Sequence, residues 1–148
     1  MISAVKSRNT EVAILRREQI CALEASIMAE EQVELEVKHT FANGVYAREM
    51  IAPKDVILTG KIHRYPCINI VAKGKFLIVT EEGEYEAEAP YTFVSGAGVK
   101  KAMCALEDSV FITVHPWEGE EDLDAIENHF TVPSFEALEM EQRLIEGH

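Results

Sequence analysis

The sequence predicts a mainly β protein: a single antiparallel barrel or jelly roll with an N-terminal helix and short C-terminal helices. Three observations predict it. Between Val33 and Pro116, short alternating runs rich in β-branched residues follow one another at regular intervals, each closed by a turn signal. Ahead of them, from about Asn9 to Gln32, no Gly or Pro interrupts an apolar pattern of helical period. Behind them comes an acidic run, then two short stretches that open with helix-capping residues. The chain divides accordingly into a helical segment, 1–33, a β core, 34–116, and an acidic, partly helical segment, 117–148. Segment 1–33 is expected to pack on the β core or on a partner subunit.

In the N-terminal helix Asn9 or Thr10 serves as cap and Glu11 suits the first turn. Val12, Leu15, Ile20, Leu23 and Ile27 form a broad stripe that packs on the same domain or on a second subunit. The predicted strands are Glu34–Phe41, Val45–Ala52, Val56–His63, Cys67–Ala72, Lys75–Thr80, Glu84–Ala89, Tyr91–Ser95, Val99–Cys104 and Ser109–His115. Ala42-Asn43-Gly44, Pro53-Lys54-Asp55, Lys73-Gly74, Glu81-Glu82-Gly83, Gly96-Ala97-Gly98 and Glu107-Asp108 mark the breaks. After Trp117 the run Glu118–Asp124 holds five carboxylates in seven residues. It reads as a solvated face, because its spacing lacks the ligand pattern of a calcium loop. Asp122 or Asp124 caps a helix through His129, and Ser134 caps another from Phe135 to Ile145. His129 and His148 are expected to be exposed.

Composition narrows the function. With 148 residues, 47% hydrophobic and 27% charged, the chain is large enough for one core and too apolar for disorder. A formal charge of −12 argues against nucleic acid and against anionic membrane surfaces, both of which need a basic footprint. Met1–Thr10 has no apolar segment of the signal-peptide kind, and no run is long enough to span a bilayer. Cys21, Cys67 and Cys104 are odd in number and far apart, so no disulfide framework is implied. The expected location is a reducing cytoplasm.

The richest stretch runs from Thr59 to Gly74. If Arg64, Tyr65 and Pro66 form a three-residue hairpin loop, His63 lies opposite Cys67 and Lys61 opposite Asn69. Lys61, His63, Cys67 and Asn69 then share one face, while Leu58, Ile62, Ile68 and Ile70 share the other and need cover, which a dimer would supply. A one-residue slip would reverse both faces. A second hairpin turning at Leu106–Ser109 brings His115 near Val99 and Thr113 near Lys101. His63, Cys67 and His115 then form an N/S set suited to zinc. Lys61, Lys101, Asn69, Thr113, Tyr65 and His63 would instead hold a small anionic ligand. The plainer readings are a core histidine, a cysteine acting as a small hydrophobe and rim lysines snorkelling to water.

The order Lys61-x-His63-x3-Cys67-x6-Gly74 resembles the first motif of the cupin superfamily, G-x5-H-x-H-x3-E-x6-G. Aligned on Gly74, Lys61 stands at the first His, His63 at the second and Cys67 at the Glu, while Asp55 stands at the opening Gly. In the second motif, Gly98 and Lys101 fit G-x2-H with Lys101 at the His, Pro90 and Gly96 stand at the opening Gly and the Pro, and Ala105 at the closing Asn. A narrower set of runs, Phe41–Glu49, Asn69–Val71, Ala89–Ser95, Leu106–Asp108 and Val114–Pro116, resembles small, mostly uncharacterised cupin-like proteins of tailed bacteriophages. Members of that group often keep more histidines at the positions of Lys61 and Cys67.

The resemblance implies a cupin-like barrel whose family metal site, for iron, manganese or zinc, is largely lost. Its first functional expectation is a phage-encoded module that binds a small ligand or a host protein, in the host cytoplasm, as a homodimer, with no metal or one divalent transition metal. The alternatives are a cupin enzyme of oxygenase or isomerase type using His63, Cys67 and His115, and a minor structural or assembly protein.

Overall fold

The computed structural model describes residues 2–147, with side chains from residue 12 onward. His148 and the side chains of Asn9, Thr10 and Glu11 lie outside the described residues. In chain order come α1 (Ile2–Met28), β1 (Glu36–Ala42), β2 (Val45–Ala52), β3 (Ile57–Thr59), β4 (Ile62–His63) and β5 (Cys67–Lys73). Then follow β6 (Lys75–Thr80), β7 (Gly83–Glu88), β8 (Tyr91–Ser95), β9 (Ala102–Ala105) and β10 (Ser109–Pro116). The chain ends with α2 (Leu123–Phe130), β11 (Thr131–Val132) and α3 (Phe135–Glu146).

Five strands form one antiparallel sheet, β1-β2-β10-β5-β8, and four form another, β3-β9-β6-β7. The sheets face each other as an open jelly-roll sandwich; their edges do not close into a full barrel. Alternation explains the core: Met50, Ala52, Val71 and Phe111 point inward from the first sheet and meet Phe76, Ile78, Ala87, Met103 and Ala105 from the second. Phe76 and Ile78 are fully buried, each worth roughly 1.5–3 kcal/mol in removed apolar surface.

The crossing from β5 to β6 depends on Gly74. Its φ is +76°, and a Cβ there would run into Ser109 Oγ and lie 2.5 Å from the Asp108 carbonyl. The Lys75 N–H donates to Ser109 Oγ at 2.9 Å, so the turn is sealed against the start of β10.

The predicted strand Val56–His63 is broken in two. The Gly60 N–H donates to the Lys101 carbonyl at 2.8 Å, after which the chain leaves β3 and its sheet. β4 then pairs with β11, Thr131 opposite His63 and Val132 opposite Ile62. The predicted β4–β5 hairpin is absent, because β5 has β10 on one side and β8 on the other. The supposed outer face changes with it. Ile62 is buried and Leu58 packs on the core, while Ile68 stays exposed and Ile70 half-buried.

α1 begins before Asn9, and of its predicted stripe only Ile20 is buried; Val12, Leu15 and Leu23 are exposed. Polar anchors hold it instead. Arg17 grips both Glu81 carboxylate oxygens at 2.8 and 3.0 Å, and Glu24 accepts from Lys100 Nζ and from Thr59 Oγ1, each at 2.8 Å. At the other end Asp122 caps α2 by accepting from the Asp124 and Ala125 N–H groups, and Ser134 caps α3 by accepting from Ala137. His129 is exposed, as predicted. Among the described residues no helix is long and apolar enough to cross a membrane.

Candidate functional site

Along the middle strands of the larger sheet, inward positions change from apolar to polar at one level. On β5 the inward order is Val71, Asn69, Cys67; on β10 it is Phe111, Thr113, His115; on β2 the same face carries Met50, Arg48 and Tyr46, of which Arg48 is exposed. Register aligns the change, since Thr113 sits between Arg48 and Asn69, and His115 opposes Tyr46. One end of the sandwich interior is therefore polar although its strands continue from an apolar core.

His63, Cys67 and His115 meet there, each offering a ligand atom within 4.8 Å of the others. Cys67 Sγ lies 3.7 Å from His63 Nδ1, and the imidazoles of His63 and His115 stack at 5.4 Å between centroids. Cys67 and His115 are buried and His63 is half-buried. Beside them Lys101 Nζ donates to Ser95 Oγ at 2.7 Å, and Asn69 Nδ2 reaches the same hydroxyl at 2.6 Å. Among the described residues no carboxylate ion-pairs with Lys101, and every buried side-chain N and O has a hydrogen-bond partner.

The electrostatics follow from burial without counter-charge. Desolvation, then the positive charge of Lys101 and interactions with His115 and Arg48, lower the pKa of His63 to about 4. Desolvation, then Arg48 and Lys101, lower that of His115 to about 4. Both imidazoles are neutral at physiological pH, the state that can ligate a metal. Burial also lowers the pKa of Lys101 and raises that of the Cys67 thiol.

The metal that the resemblance implies can be tested against this donor set. Two neutral imidazoles and a thiol suit a borderline-soft ion such as zinc better than hard cations. Tetrahedral zinc keeps its donors about 3.4–3.7 Å apart. The His63–Cys67 separation of 3.7 Å already matches, and a pair at the 4.8 Å limit would have to close by about 1 Å. The residues fit.

Not every sequence candidate takes part. Lys61 is exposed and ion-pairs with Glu127 of α2 instead. Tyr65 is exposed too, its ring 5.4 Å from that of His129. Thr113 is buried on the inner face between Asn69 and Arg48, but the predicted hairpin does not exist: β9 and β10 belong to different sheets. Lys101 reaches the hollow from the end of the second sheet and bonds Ser95 rather than Thr113.

Sequence reasoning missed Ser95, Arg48, Tyr46 and Phe130. Ser95 and Arg48 carried a signal, since strand alternation puts Ser95 on the face of Phe93 and Arg48 on that of Met50. Tyr46 closes the row, its hydroxyl 2.7 Å from His39 Nδ1. Phe130 stacks on His115 at 4.3 Å, and nothing in its neighbourhood along the chain announces that. Two surface hollows lie elsewhere. One of about 240 Å³ sits between α1 and the start of α3, and one of about 430 Å³ beside Trp117 and the β1–β2 turn.

No protein-family model matches the chain, and no curated protein matches it in sequence. Solved structures do match in shape. KdgF from a Halomonas species superposes with a TM-score of 0.51 at 19% identity, over 63% of this chain and 88% of that one. A cupin superfamily protein from Desulfitobacterium hafniense gives 0.50 at 6% identity, over 59% and 81%. At such identities the likeness speaks for architecture alone, and it agrees with the open jelly roll built above: this chain has a cupin-like fold.

Proposed function

We propose that the protein is a cupin-like binding module whose His63, Cys67 and His115 hold one divalent transition metal, zinc by the chemistry of the donors. The observation that carries this reading is the convergence of the three ligand atoms within 4.8 Å at one end of the sandwich. The set is displaced from the family pattern. Lys61 and Lys101 stand at two family histidine positions, and His115 supplies from β10 what they cannot. When bound, the metal supplies a Lewis-acid centre. The chain's own residues do the rest: Asn69, Ser95 and Lys101 brace the cluster from one side, and the Lys101 and Arg48 cations draw a small anion toward it.

A second, metal-free reading rests on Lys101. A buried amine with no carboxylate partner among the described residues suits a small carboxylate or phosphate directly. Elemental analysis and zinc titration of protein freed of metal separate the two. One equivalent of zinc lost in His115→Ala supports the first; no zinc, with acetate or phosphate binding lost in Lys101→Met, supports the second.

The partner we propose is a second copy, through the outer face of the larger sheet. Val94, Ile68, Val114 and Ala47 line up in one row across it, Ile70 and Ile112 in the next. Ile68 is 45% and Val94 67% exposed. On a chain of net charge −12 the β8–β5–β10 part of this face carries no charged side chain in these two rows, the Lys38–Glu49 pair lying toward β1, and it is where two copies can approach without repulsion. The resemblance to phage proteins extends the proposal to a phage-encoded module acting on a host or viral component in the host cytoplasm. A native mass of one chain would refute the dimer.

A further inference from the structure

We infer that the C-terminal segment from α2 to α3 is a strap that opens and closes over the His63–Cys67–His115 cluster, with Arg64 as its latch. The segment is seated on the mouth of the polar end. Its β11 pairs with β4 directly beside His63, and the Phe130 ring covers His115 at 4.3 Å. Under this cover Cys67 is 5% and His115 6% exposed while His63 stays half-buried, so the strap lies over two of the three ligand side chains.

The attachment is narrow. α2 buries Ile126 and Phe130, β11 buries Val132, and α3 buries no residue at all. Ile126 and Phe130 pack in a small cluster with Tyr46, Phe41 and Trp117, separate from the main core. α3 adds only half-buried contacts such as Phe135 under Arg17 at 4.6 Å, so we place the segment toward the low-stability end of the molecule, where local opening precedes global unfolding. One residue gathers most of the polar attachment. The Arg64 N–H donates to the Phe130 carbonyl at 2.7 Å. Its guanidinium forks onto both Glu141 oxygens at 3.1 and 2.8 Å and also donates to the carbonyls of Asn128 and His129. Arg64 thus ties α2, the α2–β11 junction and α3 to the residue that follows His63. The planar five-donor fork of arginine is what lets one side chain do this; lysine would not.

This inference is independent of which ligand the cluster takes, and its test uses no metal. In a Cys21→Ser/Cys104→Ser background the single thiol left is Cys67, whose reaction with 5,5′-dithiobis(2-nitrobenzoate) reports its uncovering. Arg64→Ala and Glu141→Gln are each expected to raise the rate at least fivefold, and their combination no further than Arg64→Ala alone, since both undo one latch. Ile78→Val serves as comparison, because it weakens the core without touching the strap. Unchanged rates in both latch variants would overturn the proposal. So would an acceleration in Ile78→Val equal to theirs at equal loss of Tm, which would mean that Cys67 is uncovered by global unfolding.

Discussion

The two ends of the sandwich are built from the same strands and do opposite things. At one end Met50, Val71, Phe76, Ile78 and Phe111 interlock with no polar atom among their side chains. At the other, the same β2, β5 and β10 present Tyr46, Asn69, Cys67, Thr113 and His115, joined by Lys101 and Ser95. The first end supplies stability. The second spends some of it, holding two imidazoles and an amine in low-pKa states that water would not impose. Strands anchored at the apolar end hold the polar groups in place at the other, so the site is rigid without being self-stabilising.

That contrast can be broken from either side. The largest effect is expected at the apolar end, where Phe76→Ala removes a fully buried ring and should cost about 3–5 kcal/mol in chemical denaturation. At the polar end His115→Ala should lower zinc affinity at least ~100-fold by competitive titration while moving Tm much less. Equal losses of Tm in the two variants would erase the distinction. Lys101→Met should go the other way and stabilise by about 1–2 kcal/mol, because it removes a buried amine that lacks a carboxylate partner.

The pH dependence sharpens the same point. His63 and His115 titrate near 4 in the folded chain against an ordinary value of 6.5. Between those values the unfolded chain binds more protons, so stability rises with pH across that window and is lost as the pH falls from 6.5 toward 4. Tm measured against pH should show that slope in the native sequence and a shallower one in His63→Gln/His115→Gln. The smallest effect concerns neither end: Ile68→Lys on the outer face should leave Tm almost unchanged and convert the proposed dimer to monomer by native mass.

How far the chain could be read in advance follows from the range of its interactions. β2, β6 and β8 match their predicted limits because alternation and flanking turns are local signals. Both C-terminal caps were legible for the same reason. β4 and β11 have two residues each and form only because distant segments meet, so no periodicity marks them. His63 and Cys67 were placed together by a hairpin that does not exist. They meet anyway, because the chain makes a corner at Arg64–Pro66 while β4 pairs outward with β11. Lys61 went wrong with that hairpin, since its inward orientation depended wholly on the register. Phe130 over His115 could not be foreseen, being a contact between residues of two elements with no shared pattern.

The Gly74 crossing has a practical corollary for anyone wishing to alter this protein. Because Asp108 and Ser109 fill the space where a side chain would start, neither a tag nor a longer loop can be spliced into the β5–β6 connection without prying the two sheets apart. Asn43 of the β1–β2 turn is exposed, and it is the place to attach a fluorophore or graft a peptide.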